Sequence, residues 1–254
     1  MRATLDFASP RAHKEVFYPE SAFGGFTDID GTVAFYSRVN ALLDPSFQVV
    51  DFGCGRGSFD EDPLLWRRNL RFLKGKSAHV MGLDVDTEAA QANPSLDEFR
   101  PLEGNQPWPV KDRSVHLILA DFVLEHLPEP ASFFSEASRA LQPGGYLCIR
   151  TSNRLSYVGI ASAAMPSRHH AKILERVQED RKKEDVFPTL YRCNTISAVR
   201  RQMAGHGFRS TVYGYEAEPS YLEFSRLAYW AGVIHQRWAP SFLRPAIFGF
   251  GRLS

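Results

Sequence analysis

The chain is 254 residues long, with 44% hydrophobic and 23% charged residues and a formal net charge of +1. That balance excludes a disordered, fibrous or disulfide-dense chain, and the length suffices for a single domain with a sizeable core, residues 1–254. Charge is uneven along it: residues 150–254 hold 16 Lys/Arg against 8 Asp/Glu, and residues 1–149 hold 14 against 21. This fits either an anionic partner for the second half or two halves whose surfaces attract.

Residues 1–31 read as irregular and carry no apolar signal segment. Thr32–Leu43 places apolar residues at helical spacing and stops at Asp44-Pro45. Phe47–Phe52 is a short apolar run, a buried strand, and ends in a glycine-rich turn. A strand at His79–Leu83, a short helix at Thr87–Ala92 and a weaker strand at Glu98–Leu102 follow. Next come a strand at Val115–Ala120, a helix at Pro130–Leu141 closed by Pro143-Gly144-Gly145, and a strand at Tyr146–Arg150. Strands alternating with helices predict an α/β, doubly wound, mostly parallel sheet with helices on both faces.

After Thr151 the rhythm breaks. Residues 152–190 are polar and read as a helical insertion or cap, and the C-terminal region, 195–254, resumes with a helix at Thr195–Gly205 and a strand at Phe208–Tyr215. Glu218–Trp238 is aromatic and helical. Its longest apolar run, Leu227–Ile234, is far too short to span a bilayer. Ile247–Leu253 reads as a last, edge strand. Cys54, Cys148 and Cys193 are odd in number and far apart, which suits a reducing cytoplasm and gives no metal pair.

The chemistry concentrates in Val49-Val50-Asp51-Phe52-Gly53-Cys54-Gly55-Arg56-Gly57-Ser58, at the end of the first strand, where open α/β sheets bind ligands. A nicotinamide dinucleotide site would read G-x-G-x-x-G. Here Ser58 stands at the third glycine position, and Asp51 would repel a pyrophosphate. The loop prefers a cationic ligand. Asp84 ends the second strand, where a carboxylate can accept from ribose hydroxyls; the alternative is a helix cap, and Asp86 is the second candidate for the ribose.

These stretches, with VKDRSVHLILADFVLEHLPEP (110–130) and FFSEASRALQPGGYLCIRTSN (133–153), resemble the class I S-adenosylmethionine (SAM)-dependent methyltransferases, particularly the small-molecule "type 11" group. The resemblance implies a Rossmann-like sheet of about seven strands, the last antiparallel, with a SAM-binding core at about 32–153. It implies Asp51, Gly53, Cys54, Gly55, Asp84 and Val85 as cofactor-binding residues, with Asp121 and Phe122 at the methionine end; a helix cap is the other reading of Asp121. Two departures stand out. Gly53 and Asp84 are 31 residues apart, which implies an enlarged helix or loop over Phe59–Ser77, and the usual adenine-contacting acid is missing, leaving Asn105 as the candidate.

For the acceptor, histidines that titrate near neutrality are candidate bases: His126, set against a structural hydrogen bond, and His169. Tyr18, Tyr157, His170, Tyr191 and Arg192 are candidate substrate contacts, on the variable segments. Asp185–Thr195 is similar to a segment of a subset of these enzymes, or is a structural link. No NPPY-type tetrapeptide occupies 120–123, and no RNA-binding module is visible, so a small-molecule acceptor is expected over nucleic acid, with O-methylation first. The rival readings are a non-catalytic SAM-binding subunit of a partner enzyme, a dinucleotide oxidoreductase and an aminopropyl transferase. Phe224, Leu227, Ala228, Ala231, Ile234 and Trp238 recur at helical spacing beside Arg226 and Arg237, which fits a cap helix packed on the domain, an interfacial helix touching an anionic membrane, or a homodimer surface rather than a monomer's.

Overall fold

The computed structural model describes residues 10–104, 106–164 and 187–254, and in it seven strands form one sheet in the order β3-β2-β1-β4-β5-β7-β6. Strands β1 (Gln48–Phe52), β2 (His79–Asp84), β3 (Glu98–Pro101), β4 (Val115–Asp121) and β5 (Leu141–Ser152) run parallel to one another. β7 (Ala246–Leu253) runs antiparallel between β5 and β6 (Phe208–Tyr215). The strand order reverses between β1 and β4 at the sheet centre, and the crevice at their carboxyl ends is where such sheets take ligands.

Alternation along the strands sorts side chains onto two faces. Val50, Phe52, Ile118, Ala120, Leu147 and Ile149 pack with Phe133, Phe134 and Ala137 of α5 (Pro130–Ala140) and with Val199 and Met203 of α7 (Ile196–Gly205). Val49, Val80, Leu117, Leu119 and Cys148 meet Phe35, Tyr36 and Val39 of α2 (Gly31–Leu42) on the opposite face. That face is also closed by the short α3 (Leu65–Arg71), through Leu70, and by α4 (Thr87–Gln91), through Ala90. Side-chain caps set the helix starts: Asp30 accepts from the amides of Thr32 and Val33 at 2.9 Å, and Thr195 from that of Ala198 at 3.2 Å.

Two expectations change, and the long connection from β1 to β2 is the enlarged loop the sequence implied. Residues 1–31 are not all irregular: α1 (Pro10–Phe17) and a 3₁₀ turn (Pro19–Ala22) lie there, held by α8 (Arg226–Trp238), with the Phe17 and Tyr229 rings 5.8 Å apart. β7 is interior, not an edge strand. Its Gly251 reads as a weak strand position, yet a Cβ there would lie 2.6 Å from the Met203 Cε, so the glycine serves close packing. The long connection from β1 to β2 holds only a 3₁₀ turn (Ser58–Glu61) and the seven-residue α3; the remainder is loop, pinned where Arg67 bridges Asp62 and Asp30 at 2.6 and 2.7 Å. Beyond β5, α6 (Tyr157–Ala164) begins the expected helical insertion.

Candidate active site

The glycine loop leaves β1 with Gly53 at φ +69°, a left-handed conformation that L side chains rarely adopt. A Cβ there would also sit 2.4 Å from the Val123 side chain, so position 53 must be glycine for the loop to turn beside the end of β4. The Gly53 amide donates to the Leu83 carbonyl at 2.7 Å, tying the loop to β2. Asp84, at the end of β2, is buried; its carboxylate accepts from the Gly55 amide at 2.8 Å and the Asp86 amide at 2.9 Å. Each oxygen keeps a second acceptor position. The helix cap is Asp86, which accepts from the Ala89 amide at 2.9 Å, and this leaves Asp84 aimed at the loop.

A cavity of about 440 Å³ opens here. It gathers Asp51, Gly53, Cys54, Gly55, Asp84, Val85, Asp121, Phe122 and His126, all singled out in the sequence, together with Tyr36 and Arg71. Its walls carry five acids, Asp51, Glu61, Asp84, Asp86 and Asp121, against two arginines, Arg56 and Arg71. Burial and the neighbouring Asp121 raise the Asp51 carboxyl to about 7, against the pull of Arg71. Burial would raise Asp121 as well, but Arg150 holds it below the ordinary carboxylate range. The Arg150 guanidinium grips Asp121 with two hydrogen bonds of 2.6 Å, and the Tyr36 hydroxyl donates to the same carboxylate at 2.9 Å. Arg150 itself is buried among aromatic faces, 4.8 Å from the Phe122 ring centre and 5.2 Å from that of Phe35. Phe122 has φ +56°, strained for a bulky residue, and its amide is bound to the Arg150 carbonyl at 2.7 Å.

On the far side of Phe122 and Arg150 lies a second cavity, of about 420 Å³. Phe122 lines both cavities and so stands in the partition. Tyr157, Tyr215, Glu216 and Tyr221 contribute to the second. Glu216 is buried, and its two oxygens lie 2.9 and 2.8 Å from His235 Nδ1 on α8. Burial raises the Glu216 carboxyl above its ordinary value, with His235 and Tyr157 pulling it back by hydrogen bonding.

A methyltransferase-domain family model matches residues 26–212. The chain belongs to that family, the class I SAM-dependent methyltransferases of Rossmann type. It is 31% identical over 111 residues to a Mycolicibacterium smegmatis protein named "Probable S-adenosylmethionine-dependent methyltransferase", covering 43% of this chain and 39% of that protein. It is 25% identical over 154 residues to the ubiquinone biosynthesis O-methyltransferase of Burkholderia pseudomallei, covering 58% and 61%. The chain thus spans less than two thirds of the length of these relatives. Among solved structures, a SAM-dependent methyltransferase from Archaeoglobus fulgidus superposes with a TM-score of 0.53 at 14% identity over 92% of this chain and 97% of that one. A Haloferax volcanii chain, from a complex of a methyltransferase with the Trm112 methyltransferase activator, gives 0.54 at 18% identity over 96% and 97%. At these identities the likeness is one of fold.

The methyltransferase donor fits the first cavity by charge. SAM carries an ammonium and a sulfonium, and five wall acids, one of them raised by burial and by a neighbouring carboxylate, favour a cation and disfavour a diphosphate. Asp84 and the Gly53–Gly55 backbone would hold it, with Asp51 facing its positive charge. Asp121 borders the cavity but its oxygens are taken by Arg150 and Tyr36; no side chain caps the 3₁₀ turn at Leu124–His126, so that alternative for Asp121 falls away.

The other residues singled out in the sequence scatter. His126 lines the first cavity with Nδ1 3.0 Å from the Pro188 carbonyl, which can only accept, so Nδ1 carries the proton. Its neighbour Glu125 is buried and accepts from Thr151 at 2.7 Å and Ser152 at 3.2 Å, while its carbonyl takes the Leu190 and Tyr191 amides. Tyr191 and the exposed Arg192 line neither cavity, and Tyr18 is buried beside Tyr229 and Val233 instead. Tyr157 reaches the second cavity. Asn105, His169 and His170 lie outside the described residues. Sequence reasoning missed Arg150, Glu216 and His235. A lone arginine in the apolar strand Leu147–Thr151 was the available signal, since a buried charge needs a partner; Glu216 and His235, 19 residues apart, left none.

Proposed function

We propose that this chain moves the methyl group of SAM to a small organic acceptor in the second cavity, with oxygen as the accepting atom. The observation that carries the reading is the pair of cavities meeting at Phe122, the acid-lined one suited to the cationic donor. When bound, SAM supplies a methyl group on a positively charged sulfur, so alignment of the acceptor does much of the work. Asp84 and the glycine loop hold the donor, and Phe122, which lines both cavities, marks the edge at which donor and acceptor meet. Glu216, buried and raised by that burial above its ordinary value, with Tyr157 and His235 about it, is suited to take the acceptor's hydroxyl proton. The O-methyltransferase relatives support oxygen as the accepting atom. The chain is taken as one methyltransferase domain acting in the cytoplasm, with three buried free cysteines in keeping.

The test is release of S-adenosylhomocysteine from SAM when the purified chain meets a panel of phenols, catechols, carboxylic acids and amines. Turnover confined to hydroxyl acceptors is expected. Turnover of amines alone would move the accepting atom to nitrogen. Tight SAM binding with no turnover on any acceptor would favour a non-catalytic SAM-binding subunit.

A further inference from the structure

From Arg226 to Ser254 the sequence holds four arginines, one histidine and no acid. Helix α8 lies in this stretch. At about 100° per residue, Leu227, Trp230, Ile234 and Trp238 fall on one arc of the helix, and Tyr229, Gly232 and Val233 fall opposite. The domain takes the second set: Tyr229, Gly232 and Val233 are buried, and a Cβ at 232 would meet Pro219 at 2.5 Å. The first set faces outward. Leu227 is 73% exposed and Trp238 82%, and Trp230 and Ile234 are exposed as well. Phe224 before the helix and Phe242 after it are exposed too.

Such a surface on a folded domain calls for a partner. Arg226 and Arg237 are exposed and fall on one flank of the arc, next to Trp230, and the helix itself carries no acid. A second copy docked face to face across a two-fold axis would bring these like charges together. An anionic surface would be attracted. The aliphatic and aromatic groups gain from acyl chains, tryptophan suits the boundary between headgroup and hydrocarbon, and arginine suits phosphate. No helix among the described residues is long and apolar enough to cross a membrane, so the contact is peripheral. Tyr221, which lines the second cavity, is itself exposed on the approach to α8, so the cavity lies next to this surface.

We propose that the outer face of α8 docks the protein onto an anionic phospholipid membrane. The experiment is co-sedimentation of the full chain with vesicles of phosphatidylcholine alone or with phosphatidylglycerol added, at low and high salt. Retention on the anionic vesicles is expected, weakened by salt through Arg237. The double variant Trp230→Ser/Trp238→Ser should lose at least about tenfold in vesicle affinity, because two large apolar groups no longer leave water. Arg237→Glu should weaken retention on anionic vesicles alone. Both variants change outward side chains, and unchanged calorimetric binding of S-adenosylhomocysteine verifies that they are folded. No retention on either vesicle overturns the proposal, as does equal retention of the tryptophan variant. So would a dimer in light scattering that the tryptophan variant dissolves, or binding to an oligonucleotide with none to vesicles.

Discussion

Replacing Asp51 by asparagine should stabilise the protein without donor and weaken its hold on the donor. In the folded chain this carboxyl is raised to about 7, by burial first and then by Asp121, from an ordinary value of 3.8. Ionised Asp51 is therefore disfavoured in the fold by roughly 3 pKa units, on the order of 4 kcal/mol at 1.36 kcal/mol per unit. Because the folded value is the higher one, the folded state holds the proton more firmly. The contribution is fully present below about pH 4, is lost as pH rises from there through 7, and stays lost above. The amide of the Asp51→Asn variant does not titrate. Its advantage over the wild type should thus be near zero at pH 4, grow toward neutrality and level off above pH 7, where about 2–4 kcal/mol would raise the melting temperature by several degrees. Calorimetric melting of both proteins from pH 5 to 8.5 measures it. Titration of SAM into each measures the converse: the wild type should bind up to about tenfold more weakly per pH unit below 7, since the donor wants the ionised form, and the variant should bind weakly at every pH. Parallel melting curves for the two proteins across this range would refute the raised carboxyl of Asp51.

Other substitutions probe the remaining parts. Asp84→Ala removes the acceptor that holds the Gly55 and Asp86 amides, and should weaken SAM by about 1–3 kcal/mol or more, read by calorimetry; unchanged affinity would remove Asp84 from the site. Gly53→Ala forces a Cβ against Val123 at positive φ and should abolish measurable SAM binding, with only partial recovery in the Gly53→Ala/Val123→Ala pair, because the backbone conformation still resists a side chain. Glu216→Gln should lower kcat by about 100-fold or more at unchanged SAM affinity, if Glu216 takes the acceptor proton; full turnover would rule that out. Arg150→Met leaves the part-buried Asp121 without its counter-charge, held by the Tyr36 hydroxyl alone, and should cost about 3–5 kcal/mol in a denaturant melt, whereas a change within 1 kcal/mol would show the pair to be marginal.

The strands and the glycine loop were legible because their physics is local. Val49, Val50 and Phe52 of β1 are apolar because both faces of the strand are covered, and the strand ends at glycines because the chain must turn sharply there. Other features depend on distant partners. β7 carries Gly249 and Gly251, which look like strand weakness until Met203 of α7 is seen beside them. α1 has eight residues, too few to be stable without α8 behind it. In α8 the apolar periodicity was visible, but periodicity states only that two faces differ. The residues that face the domain are Tyr229, Gly232 and Val233, and the bulkier apolar row lies outside. Glu216 and His235 meet only because β6 ends beside α8, a contact no spacing rule anticipates.

The uneven charge of the chain now has a spatial meaning. The acidic half supplies all five acids of the first cavity, and a cationic donor relieves their mutual repulsion. Among the described residues of the basic half, Arg150 on β5 reaches Asp121 on the neighbouring β4 and neutralises it. Had a second arginine reached Asp51 in the same way, that carboxylate would be satisfied before any ligand arrived, and its attraction for a sulfonium would be largely spent. Leaving Asp51 crowded costs the free protein stability, and the donor returns that stability on binding. The arginines of α8 lie on the outer surface instead, where they face solvent and any anionic surface the domain meets. With the proposed donor site and docking face, charge segregation along the sequence would separate two tasks in space, holding a cation in the crevice of the sheet and presenting cations beside an apolar face.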